Sequence, residues 1–268
     1  MQKAVKVLAV TGPTATGKTR LAVMLAREFR GEIVGVDSRQ VYRGMDLGTG
    51  KDLADYGEVP YHLIDVAEPD AEYNLYFFLR DAAAAIGDIA DRGKLPVLCG
   101  GSALYMAALL QHYRLENFTF PFELDALTLG VYYPRETVRS RIAERLDARF
   151  AAGMTDEVRR LHDERGVSWE KLEAFGLEYR EIARFLQGKT TETEMRTLLL
   201  NSIRQFAKRQ DIFFRKMERE GVAIHWLKAG DPEAARELCC KFLAGEPVPP
   251  PAFRMLDIRY PRRRTSAS

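Results

Sequence analysis

Eight consecutive residues, Gly12-Pro13-Thr14-Ala15-Thr16-Gly17-Lys18-Thr19, carry the spacing of a phosphate-binding loop, G-x-x-x-x-G-K-S/T. The residue types suit the task. Glycines let backbone N–H groups turn in around an anion, and a helix starting at the loop's end adds partial positive charge. Lys18 would neutralise the terminal phosphate, and the Thr19 hydroxyl would ligate magnesium. A second signal is Asp37, which closes the apolar run Ile33-Val34-Gly35-Val36. A carboxylate at the carboxyl end of a parallel strand can hold magnesium through water or accept a proton from a nucleophile. Ser38, Arg39 and Gln40 follow it as a polar cluster suited to a base or sugar. On these residues alone the chemistry is phosphoryl transfer, by a small-molecule kinase or an NTPase.

The elements that must hold these groups follow from periodicity. Val5–Val10, Glu32–Val36 and Leu95–Cys99 read as buried strands, with His62–Val66 a short further candidate. Lys18–Phe29, Tyr76–Arg92 and Ala103–Gln111 read as helices between them. Strand–helix alternation of this kind builds a parallel sheet covered on both faces. The predicted fold class is therefore α/β, a P-loop-type parallel sheet with helices on both faces and a helical C-terminal half. An irregular aromatic connector, Leu115–Asp125, leads into a strand over Ala126–Tyr133, and Ala223–Leu227 supplies a last strand. Residues 1–245 are read as one domain, and 246–268, rich in proline and closed by Arg262-Arg263-Arg264, as an extended, weakly held tail.

Composition narrows the classes. The chain has 268 residues with 40 basic against 38 acidic side chains, so nothing global steers it to nucleic acid and any basic footprint must be local. Cys99, Cys239 and Cys240 form neither a disulfide framework nor a zinc spacing, and they read as buried thiols of a reducing cytoplasm. No apolar run reaches the ~18 residues that span a bilayer, and the N-terminus lacks a secretory pattern. His62, His112, His162 and His225 show no metal-ligand spacing.

One local basic footprint exists. From Arg196 to Arg219 there are seven basic and two acidic residues. On a helical wheel Arg204, Lys208, Arg215 and Arg219 share one side, with Arg209 and Lys216 beside them. Leu199, Ile203, Phe206, Phe214 and Met217 take the other, apolar side. Such a row can contact RNA phosphates or simply face water. Phe206, Phe213 and Phe214 read as core. A second stripe, Arg141, Arg145 and Arg149, has the spacing of one helix face, and its role stays open between diphosphate, RNA and solvent.

Three further blocks change the expected chemistry. Val36–Lys51 (VDSRQVYRGMDLGTGK), Pro60–Asp65 (PYHLID) and Gly100–Tyr105 (GGSALY) resemble signatures of the tRNA dimethylallyltransferases, as Arg204–Gln210 (RQFAKRQ) resembles that family's late basic helix. The resemblance spans about residue 5 to residue 230 and implies prenyl rather than phosphoryl transfer. It implies that the loop, with magnesium, holds dimethylallyl diphosphate, and that the acceptor is the exocyclic amine of the adenosine beside the anticodon. Asp37 would take a hydrogen of that amine, and Lys18 and Thr19 would act on the leaving diphosphate. The tRNA-contacting set would be Asp37, Ser38, Arg39, Gln40, Ser102, Arg204, Gln205, Lys208 and Arg209, with Ser102 where the family usually has threonine. Arg135, Arg141 and Arg145 match arginines common in the family.

Two departures stand out. The helical insertion that usually follows the helix ending near Gln111, and clamps the anticodon arm, is reduced here to the 115–125 connector. Glu173 stands where the family usually has arginine, and two residues separate Gly176 from Tyr179 in place of a glycine–tyrosine pair. If that arginine serves the diphosphate, Arg180 or the 141–149 stripe would have to compensate. The short chain keeps an adenylate dimethylallyltransferase open as an alternative, as the loop does a nucleotide-type kinase, for which Arg114 would be the connector's one lid arginine. A non-catalytic RNA-binding relic is a fourth reading, opposed by the joint presence of Gly12, Gly17, Lys18, Thr19 and Asp37. The sequence leads to an enzyme of the cytoplasm, expected to work as a monomer.

Overall fold

The computed structural model describes residues 4–113 and 115–259. Arg114 and the Arg262–Arg264 cluster lie outside the described residues.

The strands are β1 (Ala4–Thr11), β2 (Gly31–Gly35), β3 (Tyr61–His62), β4 (Leu95–Gly100), β5 (Glu123–Tyr132) and β6 (Ile224–Lys228), in the order β3-β2-β4-β1-β5-β6. Every pairing is parallel, with Val10 opposite both Cys99 of β4 and Leu129 of β5. Strands buried on both faces need no hydrophobic–polar alternation, and Val7, Leu8, Ala9 and Val10 are all fully buried.

Alternate residues of β1 feed two cores. Val5, Val7 and Ala9 pack with α2 (Leu75–Asp91), α3 (Ala103–Leu110) and the end of a 28-residue helix, α8 (Glu192–Arg219). Leu8 and Val10 pack with α1 (Lys18–Glu28) and α9 (Pro232–Ala244) on the other face. A third core joins α4 (Arg135–Ala151), α5 (Met154–Asp163), α6 (Trp169–Ala174) and α7 (Leu177–Leu186) to the first half of α8 and to Val41, Tyr42 and Met45. Helix α8 thus belongs to both the sheet and the helical half. Its start is fixed by a capping box, Thr191 with Glu194.

Three expectations change. Strand β3 is two residues long and ends at His62, because Leu63 and Asp65 take positive φ of 63° and 55°, which breaks an extended run. Of the paired thiols, Cys239 is buried but Cys240 is exposed, since adjacent helix positions point about 100° apart. The tail segment 246–254 has neither helix nor strand, yet Met255 beyond it is 2% exposed, within the core that holds Phe214 and Trp226. Among the described residues no helix is long and apolar enough to cross a membrane.

Candidate active site

The phosphate-binding loop joins β1 to α1 at the carboxyl edge of the sheet. Gly12 adopts φ +151°, and a Cβ there would stand 2.9 Å from the Val131 carbonyl oxygen, so only glycine lets the loop leave the strand here. The Thr16 hydroxyl donates to the Pro13 carbonyl at 2.8 Å and stiffens the turn. Thr14, Ala15, Gly17, Lys18 and Thr19 line a cavity of about 720 Å³; Gly12 and Thr16 do not line it, and Pro13 lines a separate cavity between α4 and α8. Arg141 and Arg145 of α4 line the same cavity. The side chain of Arg149 is mostly enclosed behind them; among the described residues its buried Nη2 has no hydrogen-bond partner and lies 4.0 Å from Asp52 Oδ2.

This cavity is electrostatically prepared for an anion. Burial pulls the Lys18 ammonium below the ordinary lysine range, and Arg145 acts in the same direction. Burial and the neighbouring Arg145 likewise draw the Arg149 guanidinium down to about 10. Cations held this way gain most when a polyanion arrives. The enclosed Cys99 thiol, pushed up to about 11 by burial, is no nucleophile at neutral pH.

Asp37 follows β2 on the next loop. Its Oδ1 accepts the backbone N–H of Arg39 at 3.0 Å and of Gln40 at 3.4 Å. Among the described residues no hydrogen bond reaches Oδ2. Asp37 lines the first cavity and also a second one, of about 490 Å³, that opens between α7 and α8. Ser38, Ser102, Gln205 and Arg209 line this second cavity, and the Ser102 hydroxyl accepts the Ser38 N–H at 2.9 Å.

The structure divides the predicted tRNA-contacting residues. Arg209 faces the cavity that holds Asp37, Arg204 and Lys208 open into a third cavity, of about 580 Å³, between α4 and α8, and Gln205 lines both. Arg215, on the same predicted basic face, donates to the carbonyls of Leu256 and Ile258 and anchors the tail. The Gln40 amide donates to the Thr49 and Gly50 carbonyls at 3.2 and 3.0 Å, so it braces the following loop. Arg39 is paired with Glu178 of α7 at 2.9 Å. Glu173 lines neither cavity: it accepts from Lys189 at 2.8 Å and from Gln187 at 2.9 Å. The charge reversal at 173 therefore does not reach the phosphate loop. Arg180 lines the Asp37 side and not the loop side, whereas Arg141 and Arg145 of α4 line the loop side.

Two residues were missed by the sequence reading as site residues. Gln210, buried in the middle of α8, accepts the Thr14 N–H at 2.9 Å and donates to the Gly101 carbonyl at 2.6 Å, tying the loop to β4's end. Phe206, read as core, lines both the loop cavity and the Asp37 cavity. The block RQFAKRQ is visible in the sequence, but which faces α8 turns to which cavity depends on its packing.

Comparison with known proteins agrees with this arrangement. A family model described as IPP transferase matches residues 40–122 and 113–217, and one described as isopentenyl transferase matches 5–57. The two segments of the first match meet at the 113–122 connector. A tRNA dimethylallyltransferase 2 of Trichlorobacter lovleyi is 42% identical over 298 residues, covering 88% of this chain and 97% of that protein. A tRNA dimethylallyltransferase 1 of Geotalea daltonii is 43% identical, covering 85% of this chain and 92% of its own length. The crystal structure of the tRNA isopentenylpyrophosphate transferase of Bacillus halodurans superposes with a TM-score of 0.79 at 27% identity, covering 91% of this chain and 96% of that one. With a parallel sheet, a phosphate loop and Asp37 at the meeting of two cavities, the chain belongs to the tRNA dimethylallyltransferase family.

Proposed function

We propose that the chain moves a dimethylallyl group from dimethylallyl diphosphate to the exocyclic amine of the adenosine beside the anticodon in tRNA, releasing diphosphate. The observation that carries this reading is the shared wall of the two cavities. Asp37, Arg39 and Phe206 line both the loop side, suited to the diphosphate, and the Asp37 side, suited to a flipped-out base. In the reaction the amine nitrogen forms a bond to the allylic carbon as the carbon–oxygen bond breaks, its electrons leaving with the diphosphate. One amine proton passes to Asp37, whose Oδ1 is held by two backbone amides. Lys18, Arg141 and Arg145 stabilise the charge that gathers on the diphosphate.

Magnesium suits the loop side. Among the described residues no cluster of three acidic, histidine or cysteine side chains could hold a metal, so Thr19 would be its protein ligand, with diphosphate oxygens and water completing the shell. Bound there it supplies positive charge against the leaving group. The proposed enzyme works as a monomer where tRNA is found, in the cytoplasm.

The test offers labelled dimethylallyl diphosphate and magnesium to unmodified tRNA and, separately, to AMP. Label is expected in tRNA, falling about 10²–10⁴-fold with Asp37→Asn, which keeps the Oδ1 acceptor but cannot take a proton. Label entering AMP alone overturns the tRNA acceptor in favour of free adenylate, and label in neither overturns the transfer.

A further inference from the structure

Glu178 is a buried carboxylate that the reaction above does not use. It is one of the two residues that separate Gly176 from Tyr179, and it sits in the first turn of α7. The helix starts through two left-handed residues, Gly176 at φ 72° and Leu177 at φ 44°. A non-glycine residue there is held at some conformational cost, and such positions gather at functional sites.

The side chain of Glu178 is 5% exposed and accepts from Arg39 Nη1 at 2.9 Å; that of Arg39 is 17% exposed. Arg39 in turn stands on the shared wall of the two cavities, its guanidinium 5.9 Å from the centroid of the Phe206 ring. Burial alone would lower the Arg39 guanidinium, but the charges of Glu178 and Asp37 outweigh it, and Arg39 stays protonated. The ionisable neighbours of Arg39 are Glu178 and Tyr179 of α7, Asp37 of its own loop, and Arg149 of α4.

This wall is where an allylic carbon turning cationic would meet the amine. An unneutralised guanidinium in an enclosed passage opposes that charge, and it also competes for Asp37. We propose that Glu178 is a positioning residue for prenyl transfer: it pins and neutralises Arg39 against the wall of the passage. Asp37 is thereby left to take the amine proton, and Arg39 adds no unneutralised charge where the two cavities meet. The inference rests on the prenyl-transfer reading.

Single-turnover transfer to tRNA tests it, with wild type, Glu178→Gln and the double variant Arg39→Gln/Glu178→Gln run together. Glu178→Gln, similar in shape, is expected to slow the chemical step about 10–100-fold while donor and tRNA dissociation constants stay within about twofold. The double variant, which leaves no unpaired charge, should run its chemical step at least about threefold faster than Glu178→Gln at saturating tRNA, whatever Arg39 contributes to tRNA affinity. A merely structural pair would lower the melting temperature and leave the rate alone. An unimpaired Glu178→Gln, or a double variant no faster than the single one, overturns the inference while leaving prenyl transfer standing. Absence of transfer by the wild type overturns both. Should Glu178→Gln not fold, Glu178→Asp, which keeps the charge but shortens its reach, decides: the chemical step should slow while both dissociation constants hold, and an unchanged step overturns the inference.

Discussion

Lys18 enters the donor cavity as a destabilised cation. Burial and Arg145 lower it, with Cys99, Asp37 and Asp52 only partly opposing them. Diphosphate stabilises the ammonium form, so binding takes up a proton once the free protein begins to lose it. The sign follows: affinity is flat below the lowered value, where Lys18 is charged both free and bound, and falls above it. The donor KM is expected to begin rising at a pH below the ordinary lysine value, ahead of the loss of charge on Arg149, whose own value is only drawn to about 10. Lys18→Met should give a high KM without that rise, and a wild-type KM that stays constant until the ordinary lysine range would refute the account. The residues of this kind are legible in a sequence because their spacing is local: the loop's glycines, Lys18, Thr19 and Asp37 declare themselves within 26 consecutive positions. Gln210, Phe206 and Glu178 do not, since each reaches the site from more than 130 positions beyond Asp37 and through the rotation of a packed helix.

At the next scale a helix holds a loop. The buried Glu157 of α5 accepts the backbone N–H groups of Asp46, Leu47 and Gly48 at 2.9, 2.6 and 3.0 Å, and the Tyr179 hydroxyl at 2.8 Å. The same loop ends at Gly50, whose carbonyl receives Gln40 at 3.0 Å and Arg145 at 3.3 Å. A carboxylate from the helical half thus sets where a donor-binding arginine rests. Glu157→Ala strands three amides and a hydroxyl, which we expect to cost about 3 kcal/mol. That corresponds to a melting temperature roughly 6–12 °C lower, and the donor KM should rise with it. Thermal unfolding and steady-state kinetics check both, and unchanged values would show that the loop stands without its clamp. Periodicity reveals such helices and strands well, because burial imposes it. It fails at β3, where Asp65 turns back to pair with Lys51, a fully buried lysine that also reaches Asp46 and the Tyr42 carbonyl. That turn is set by a tertiary contact, not by local preference.

Across the whole molecule, α8 and the tail bind the two halves together. Ile203 and Ala207 lie in the helical core, Phe214 and Met217 in the sheet core, and the cavity-lining Gln205, Phe206, Arg209 and Gln210 between them. The tail secures the sheet end of this helix. Glu218 accepts the N–H groups of Met255 and Leu256 at 3.0 and 2.8 Å and the Trp226 indole at 2.7 Å. Proline-rich composition reads as looseness because it forbids helix and strand, but it says nothing of a single buried side chain farther on. Met255→Ala is expected to cost about 2–4 kcal/mol, the cost of a cavity under Trp226 and Phe214, with transfer activity at 25 °C within about twofold of wild type. A chain ending at Pro250 loses more, because Glu218 then keeps only the indole, Arg215 loses two carbonyl partners, and the core beside β6 opens to water. Its melting temperature should fall below that of Met255→Ala, and its tRNA KM should rise as the middle of α8 loosens. Should the shortened chain melt with the full-length protein, the tail would be a passenger, and α8 would be held by the sheet alone.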